Sequence, residues 1–339
     1  MDLIYIRNRN GTYDSGYLHH YEVDFDVTSD LENTTNDFEL KMPLPKDAND
    51  LYWLENQISS FIYVEGTEYG GEILGSTIDL EGNTVSYTGR TWRGTLDQYV
   101  IEPPAGQDYR IVSGNLATIL NDLPKNDKLT YAPTLYTIGS FQFDRYIKVF
   151  EGATKLLSAC DNDLRLVFSF EQTANQYTGV ITAEIAPKRD LTDLVEVSQD
   201  YSDKVQLKIT HDSKTPRHLI CLGQGELHAR QVVHLYADED WNVSTTPIVG
   251  AYPVEIYDYS SSTSLEADGR KKFAEYIGNH EQIDVSIDDL DVQLGDIIAA
   301  KDNITGETVT AEITKIVYKC TDYGTYQQES YEYQTKVRI

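Results

Sequence analysis

The stretch Tyr21–Val27 sets Tyr21, Val23, Phe25 and Val27 at alternate positions against Glu22, Asp24 and Asp26. A period of two fits a strand, because successive side chains leave a pleated backbone on opposite faces, whereas a helix would scatter the same acids around its circumference. Such a strand has one apolar face for a core and one acidic face for water. It constrains the fold most, because its backbone needs neighbouring strands and its apolar face needs a second layer.

The pattern recurs through the first hundred residues. Leu3-Ile4-Tyr5-Ile6 reads as a short strand, and Asn10-Gly11 as the turn of a hairpin. Asp37–Met42 follows with Phe38, Leu40 and Met42 in phase, then Phe61–Val64, Glu72–Asp79 and Asn83–Tyr87. Gly66, Gly70-Gly71 and Gly82-Asn83 read as the intervening turns. Strands at roughly 8–12-residue spacing describe a small barrel or sandwich. Pro103-Pro104-Ala105-Gly106 breaks the pattern and marks a boundary. The 25 tyrosines point the same way, since Tyr favours half-buried strands.

The middle of the chain mixes periods. Ser113 is the expected cap of a helix through Asn115–Leu123, with Leu116, Ile119, Leu120 and Leu123 on one face and Pro124 as its stop. Ala132–Gly139 reads as a loop or edge strand and Ser140–Phe143 as a short strand. Tyr146–Cys160 carries Ile147, Phe150, Ala153, Leu156, Leu157 and Cys160 at helical spacing. Strands over Asp163–Phe170 and Tyr177–Ala186, turning at Ala174-Asn175, complete an α+β block that ends at Pro187.

The last third returns to strands: Lys204–His211, His218–Leu222, Ala229–Tyr236, Gln282–Ile287, Asp296–Ala300, Thr308–Tyr318 and Ser330–Ile339. One helix interrupts them at Ser264–Tyr276, with Leu265, Phe273 and Tyr276 as its apolar residues. No short repeat is visible. The expected fold class is α+β and β-rich: two small β-barrel domains, 1–103 and 196–339, separated by an α+β domain at 104–195. A helix-containing insertion is expected at about 238–280 of the second β region.

The formal net charge is −27, from 55 acids against 28 bases. That balance disfavours wrapping DNA or lying on an anionic membrane, which both need clustered Lys and Arg. It suits solubility, or the wall of a passage for another polyanion if the protein forms a ring. Cys160, Cys221 and Cys320 are odd in number and lack C-x-x-C spacing, so free thiols made in a reducing cytosol are expected. The N-terminus, MDLIYIRNRNG, is too short and polar for a signal peptide, and no run approaches the ~20 apolar residues of a membrane span.

Each candidate for chemistry meets a plainer reading. Asp24 and Asp26 share a strand face and could serve glycoside chemistry, but a solvated face accounts for them. Asp288-Asp289, Asp291 and Leu294-Gly295-Asp296 lack the alternating acids, central Gly and terminal Glu of a calcium loop. His19-His20 are adjacent and would point to opposite faces of a strand. His211, His218, His228 and His234 fall in one β block and could converge, without the spacing of a zinc site. Gly223-Gln224-Gly225 lacks the third glycine of a dinucleotide site, and Ser158 and Ser264 lack a nucleophile-elbow context. Tyr318, Tyr323, Tyr326, Tyr331 and Tyr333 could bind sugars or stack on bases, but fit a core or an interface better. The expectation is no catalytic, cofactor-binding or metal residue.

The segment Tyr87-Thr88-Gly89-Arg90-Thr91-Trp92-Arg93-Gly94-Thr95-Leu96-Asp97-Gln98-Tyr99-Val100-Ile101-Glu102-Pro103 resembles the end of the first β domain in phage tail hub proteins of the Gp37-like group. That group shares its architecture with the T4-type baseplate hub and the N-terminal part of tail-associated lysins. Leu290-Asp291-Val292-Gln293-Leu294-Gly295-Asp296-Ile297-Ile298, followed by Thr308–Ile316, resembles the closing β domain, where an LGD turn leads into the sealing strands.

The resemblance implies a structural, non-enzymatic hub: a homotrimer whose two barrels per copy make a ring matching a sixfold tail tube. Its implied partners are the distal tail protein, the tail tube protein, and tip or fibre and receptor-binding proteins. DNA would pass through the ring without specific binding. The implied location is the virion tail tip or baseplate, after synthesis in the host cytoplasm. Longer relatives append lysin parts beyond the second β domain, and the chain stops at Ile339, so enzyme activity loses its usual place. The rivals are a carbohydrate-binding module, drawing on Trp53, Trp92 and Trp241, and a glycoside hydrolase using an acid pair.

Overall fold

The computed structural model describes the chain except residues 1, 10–11, 32–34, 45–59, 161–162, 173–178, 194–195, 199–205, 212–214, 240, 260–263, 279–280, 287–291, 302–307 and 338–339. The chain is β-rich with few helices, and its large sheet forms a half-barrel. The first strands are β1 (Leu3–Arg9), β2 (Thr12–Tyr17), β3 (Glu22–Thr28), β4 (Asp37–Pro43), β5 (Phe61–Val64), β6 (Gly70–Asp79) and β7 (Thr84–Thr91). The middle holds β8 (Val100–Ile101), β9 (Ile111–Asn115), helix α1 (Leu116–Asn121), β10 (Leu129–Tyr131), β11 (Thr137–Gln142), β12 (Ile147–Lys148), helix α2 (Val149–Ser158), β13 (Leu164–Gln172) and β14 (Gly179–Pro187). Then come β15 (Glu196–Ser198), β16 (Gln206–His211), β17 (His218–Leu222), β18 (Val232–Ala237), β19 (Val243–Ser244) and β20 (Val254–Asp258). Helix α3 (Leu265–Gly278) precedes β21 (Glu281–Ser286), β22 (Ile297–Lys301), β23 (Thr308–Asp322) and β24 (Gln327–Val337).

The chain forms two compact units: residues 1–190, 286–297 and 313–333, and residues 191–285, 298–312 and 334–339. In the first unit the strand order is β24-β23-β3-β4-β7-β6-β5-β1-β2. β3 buries Val23, Phe25 and Val27 and turns Glu22 and Asp24 outward, as the alternation predicts. β1 and β2 pair antiparallel as far as Arg9 opposite Thr12, and Asn10-Gly11 lie outside the described residues. β23 lies antiparallel beside β3, with Tyr318 opposite Phe25 and Lys319 opposite Asp24. A strand from the end of the sequence thus supplies the neighbour that β3 needs.

Aromatic side chains fill much of this unit's interior. Tyr318 stacks on Tyr69, with ring centroids 4.5 Å apart, and on Phe25, at 6.4 Å, while Tyr331 packs tilted against it at 5.0 Å. One hydrophobic core joins Ile6, Phe61 and Trp92 to Leu116 and Leu120 of α1, Phe150 and Leu156 of α2, and Phe168 and Phe170 of β13. The Trp92 ring lies 4.7 Å from that of Phe170 at 11°, an offset stack that adds about 0.5–1.5 kcal/mol to the burial of both rings.

Some sequence expectations are corrected. Gly70-Gly71 is not a turn but opens β6, and a Cβ on Gly71 would stand 2.0 Å from the Arg90 carbonyl oxygen. The glycine is there for close approach, not for a reversal. The cap of α1 is Asn115, whose Oδ1 accepts from the Thr118 amide at 3.1 Å; Ser113 lies in β9. Ile147 pairs with Ile101 in a two-stranded ribbon before α2 begins, so the second helix starts at Val149. The loop-or-edge stretch ends in β11, which pairs with β9.

In the second unit, β19-β18-β17-β20 form a four-stranded sheet. Leu219, Cys221 and Leu235 on one face pack with Leu265 and Phe273 of α3. β20 pairs parallel with β17 and was not expected from the sequence. β15 pairs parallel with β22. Among the described residues no helix is long and apolar enough to cross a membrane.

Candidate functional site

The outward face of the first unit's sheet gathers charged side chains from several strands. Asp24 and Asp26 of β3, Asp37 and Glu39 of β4, and Glu332 of β24 line a shallow groove of about 710 Å³ with Arg90 and Lys319. Register makes the row: Lys319 faces Asp24, and Asp24 faces Glu39. Lys315 Nζ sits 2.6 Å from Asp26 Oδ2, and Lys319 Nζ lies 2.7 Å from Glu332 Oε1. Loss of hydration raises the Asp24 pKa, and Glu332, Glu39 and Glu22 add to that while Lys319 opposes it. Loss of hydration also raises Asp26, against the pull of Lys315. The two aspartates therefore stand in a matched charge pattern, with Asp26 held by a lysine. Asp26 is thus ion-paired with Lys315, and Asp24 stands across the ladder from Lys319.

The two segments that carried the family resemblance have clear physical jobs. Thr91, Trp92, Arg93, Gly94, Thr95 and Leu96 are all buried. Arg93 reaches Glu68 at 3.0 Å, donates to the Leu166 carbonyl at 2.9 Å and lies over the Phe168 ring. In the second segment Gly295 takes φ +82°, which lets the chain turn and aim Asp296 inward. Asp296 is fully buried. Its carboxylate accepts from Arg165 at 2.6 Å, from Arg189 Nε at 2.9 Å and from the Gln293 amide at 2.6 Å. The LGD turn is thus a clamp that ties its loop to β13 and to the chain after β14. Asp288, Asp289 and Asp291 lie outside the described residues. Among the described residues no group of three or more His, Cys, Asp or Glu is placed to hold a metal.

A second carboxylate organises the β23–β24 turn. Asp322 Oδ1 accepts from the His20 amide at 2.9 Å and the Gly324 amide at 2.8 Å, and Oδ2 accepts from Gln327 at 3.0 Å. These donors hold its pKa below the usual aspartate value, the His20 amide most of all. His19 and His20 lie in the connection between β2 and β3, not on a strand, and His20 takes φ 57°.

Of the four histidines that might converge, the structure brings two together. His218 Nε2 is 2.9 Å from His234 Nδ1. Desolvation and His234 lower the pKa of His218. His228 sits in the exposed connection before β18, and the His211 side chain lies outside the described residues. Gly223-Gln224-Gly225 follows β17 in the connection towards β18, as a strand turn would. Cys221 and Cys320 are buried free thiols and Cys160 is half-buried; burial pushes Cys221 up to about 11, away from nucleophile chemistry. Trp92 is a core residue, Trp241 packs partly buried near Arg217, and Trp53 lies outside the described residues. Tyr318 and Tyr333 are buried, whereas Tyr323 and Tyr326 stack on each other at the exposed turn.

Comparison of the sequence with family profiles and with curated proteins finds no match. The fold does match solved structures. It is similar to a tail protein from Neisseria meningitidis MC58, with a TM-score of 0.59 at 11% identity over 99% of this chain and 96% of that one. It is similar to the 43 kDa tail protein of prophage MuSo2 from Shewanella oneidensis, with a TM-score of 0.60 at 14% identity over 99% and 96%. Prophage tail protein gp18 from Listeria monocytogenes EGD-e matches with a TM-score of 0.55 at 12% identity over 99% and 94%. The chain has the fold of these phage tail proteins from end to end.

Proposed function

We propose that this chain is a structural, non-enzymatic hub subunit of a phage tail tip or baseplate. The observation that carries the proposal is the fold match to tail proteins over nearly the whole of both chains. A shared fold does not by itself fix a shared role. The site adds support: Arg93 and Asp296 of the two family-like segments serve packing and clamping, and Asp26 of the acid pair is bound in a cross-strand ion pair.

In this reading the chain divides as 1–103, 104–195 and 196–339, with a helix-containing insertion at about 238–280. Three copies close a pseudo-sixfold ring between the tail tube with its distal tail protein and the tip or fibre proteins. Closed symmetry ends the tube, and interfaces that make such a ring obligatory are large. DNA traverses the ring without specific contacts, kept from the wall by the chain's net charge of −27. Asp24 and Glu39 are the outward acids that would face it. Replacing both by Lys is expected to slow DNA release from assembled tails; release at the parental rate contradicts the lumen assignment.

The experiment for the hub role is deletion of this gene product from the producing phage, with complementation in trans. Tails that lack a tip and regain it on complementation support the role. Tails with a complete tip and unimpaired adsorption contradict it.

A further inference from the structure

We propose that His218 and His234 form a two-imidazole site for Cu²⁺ or Ni²⁺ on the outward face of the four-stranded sheet. The register places them. Tyr236 stands opposite His218 and His234 opposite Ile220, so the two histidines are diagonal neighbours on one face. Diagonal positions of an antiparallel pair lie within reach of ring side chains. The other face is the one that packs with α3, leaving these rings on the solvent side.

The distance allows one metal ion to reach both nitrogens, and imidazole ligands favour Cu²⁺ most among first-row divalent ions. Imidazole nitrogens bind a first-row divalent metal at about 2.0–2.1 Å, so two of them at right angles lie about 2.9 Å apart, and at the tetrahedral angle about 3.3 Å. Nε2 of His218 and Nδ1 of His234 are 2.9 Å apart. That span suits a square-planar or octahedral ion better than tetrahedral zinc. The rings are also held. Tyr236 lies against His218, with centroids 4.3 Å apart at 18°, and His234 lies beside both, 5.2 Å from His218 and 6.3 Å from Tyr236. The face-to-face contact with Tyr236 restricts rotation of the His218 ring.

A neutral pair at this distance carries one hydrogen between the two nitrogens. For both to ligate, that hydrogen moves to the other nitrogen of its own ring by exchange with water, with no change of oxidation state. The two imidazoles then fill neighbouring positions and water takes the others. The site does not depend on the tail assignment.

The test is Cu²⁺ binding to the full chain in chelator-free buffer, followed by calorimetry and by electron paramagnetic resonance. The tightest site is expected to bind one Cu²⁺ with the hyperfine pattern of two imidazole nitrogens, and more weakly with Zn²⁺. His218→Gln and His234→Gln each weaken it at least tenfold, and His228→Gln leaves it unchanged, with circular dichroism reporting the fold of each variant. Parental affinity in folded His218→Gln and His234→Gln overturns the proposal. So does a single-imidazole signal from the parent protein, which needs no variant to fold.

Discussion

Asp296 is fully buried and faces two guanidinium groups, those of Arg165 and Arg189. Removing one partner of a buried ion pair leaves the other charge desolvated, which costs about 3–5 kcal/mol. Asp296→Ala is therefore expected to lower unfolding stability by about that amount in a denaturant titration. A change within experimental error would show that the clamp is not structural. Asp322 tests linkage instead. Its folded pKa is depressed by the amides of His20 and Gly324 and by Gln327, so its contribution is complete above the ordinary aspartate value and is lost as pH falls through the lower folded one. Asp322→Ala is expected to cost about 1–3 kcal/mol at neutral pH, and the gap to the parent should close as pH drops below about 3.9. Thermal unfolding of both proteins across that range measures it; a gap that widens in acid contradicts the assignment.

At the scale of elements, the sheet's tight spots are set by glycine. On Gly71 a Cβ would meet the Arg90 carbonyl at 2.0 Å, and on Gly89 the Glu72 carbonyl at 2.0 Å, with Phe38 close to both. Gly71→Ala should part β6 from β7 and destabilise by about 1–3 kcal/mol or more. Gly66→Ala, where nothing stands within 4 Å but φ is +74°, should lose a smaller amount through backbone strain alone. Equal losses in chemical denaturation would remove the packing argument. Much of this level was legible in the sequence, for a physical reason. β3, β4, α2 and α3 each bury one face, and one-sided burial writes a period of two or 3.6 into the chain. β20 was missed because Val254, Glu255 and Ile256 are all exposed, so no contrast between faces marks it. Pairings and clamps were illegible because they join distant residues: Lys319 beside Asp24, the His20 amide on Asp322 from 302 positions away, and Arg165 on Asp296. Local pattern carries no record of such partners. The His218–His234 contact was half legible, since the strands were readable but their register was not.

At the scale of the whole molecule, the account rests on assembly. The proposed hub role starts from the fold shared with tail proteins over 99% of this chain. The net charge of −27 opposes association at low ionic strength, so any stable ring must be held by apolar and hydrogen-bonded contacts that overcome it. A ring of this kind should tighten as salt rises through the physiological range, where the screening length shrinks to about 8 Å. The measurement that bears most directly on the account is the native mass and projected symmetry of the purified protein, by mass spectrometry and electron microscopy of the same sample. The expected result is three copies per particle, closed around a central hole, with lobes repeating at close to sixfold spacing. Particles of a single copy at high protein concentration, or closed assemblies without a hole, would contradict it.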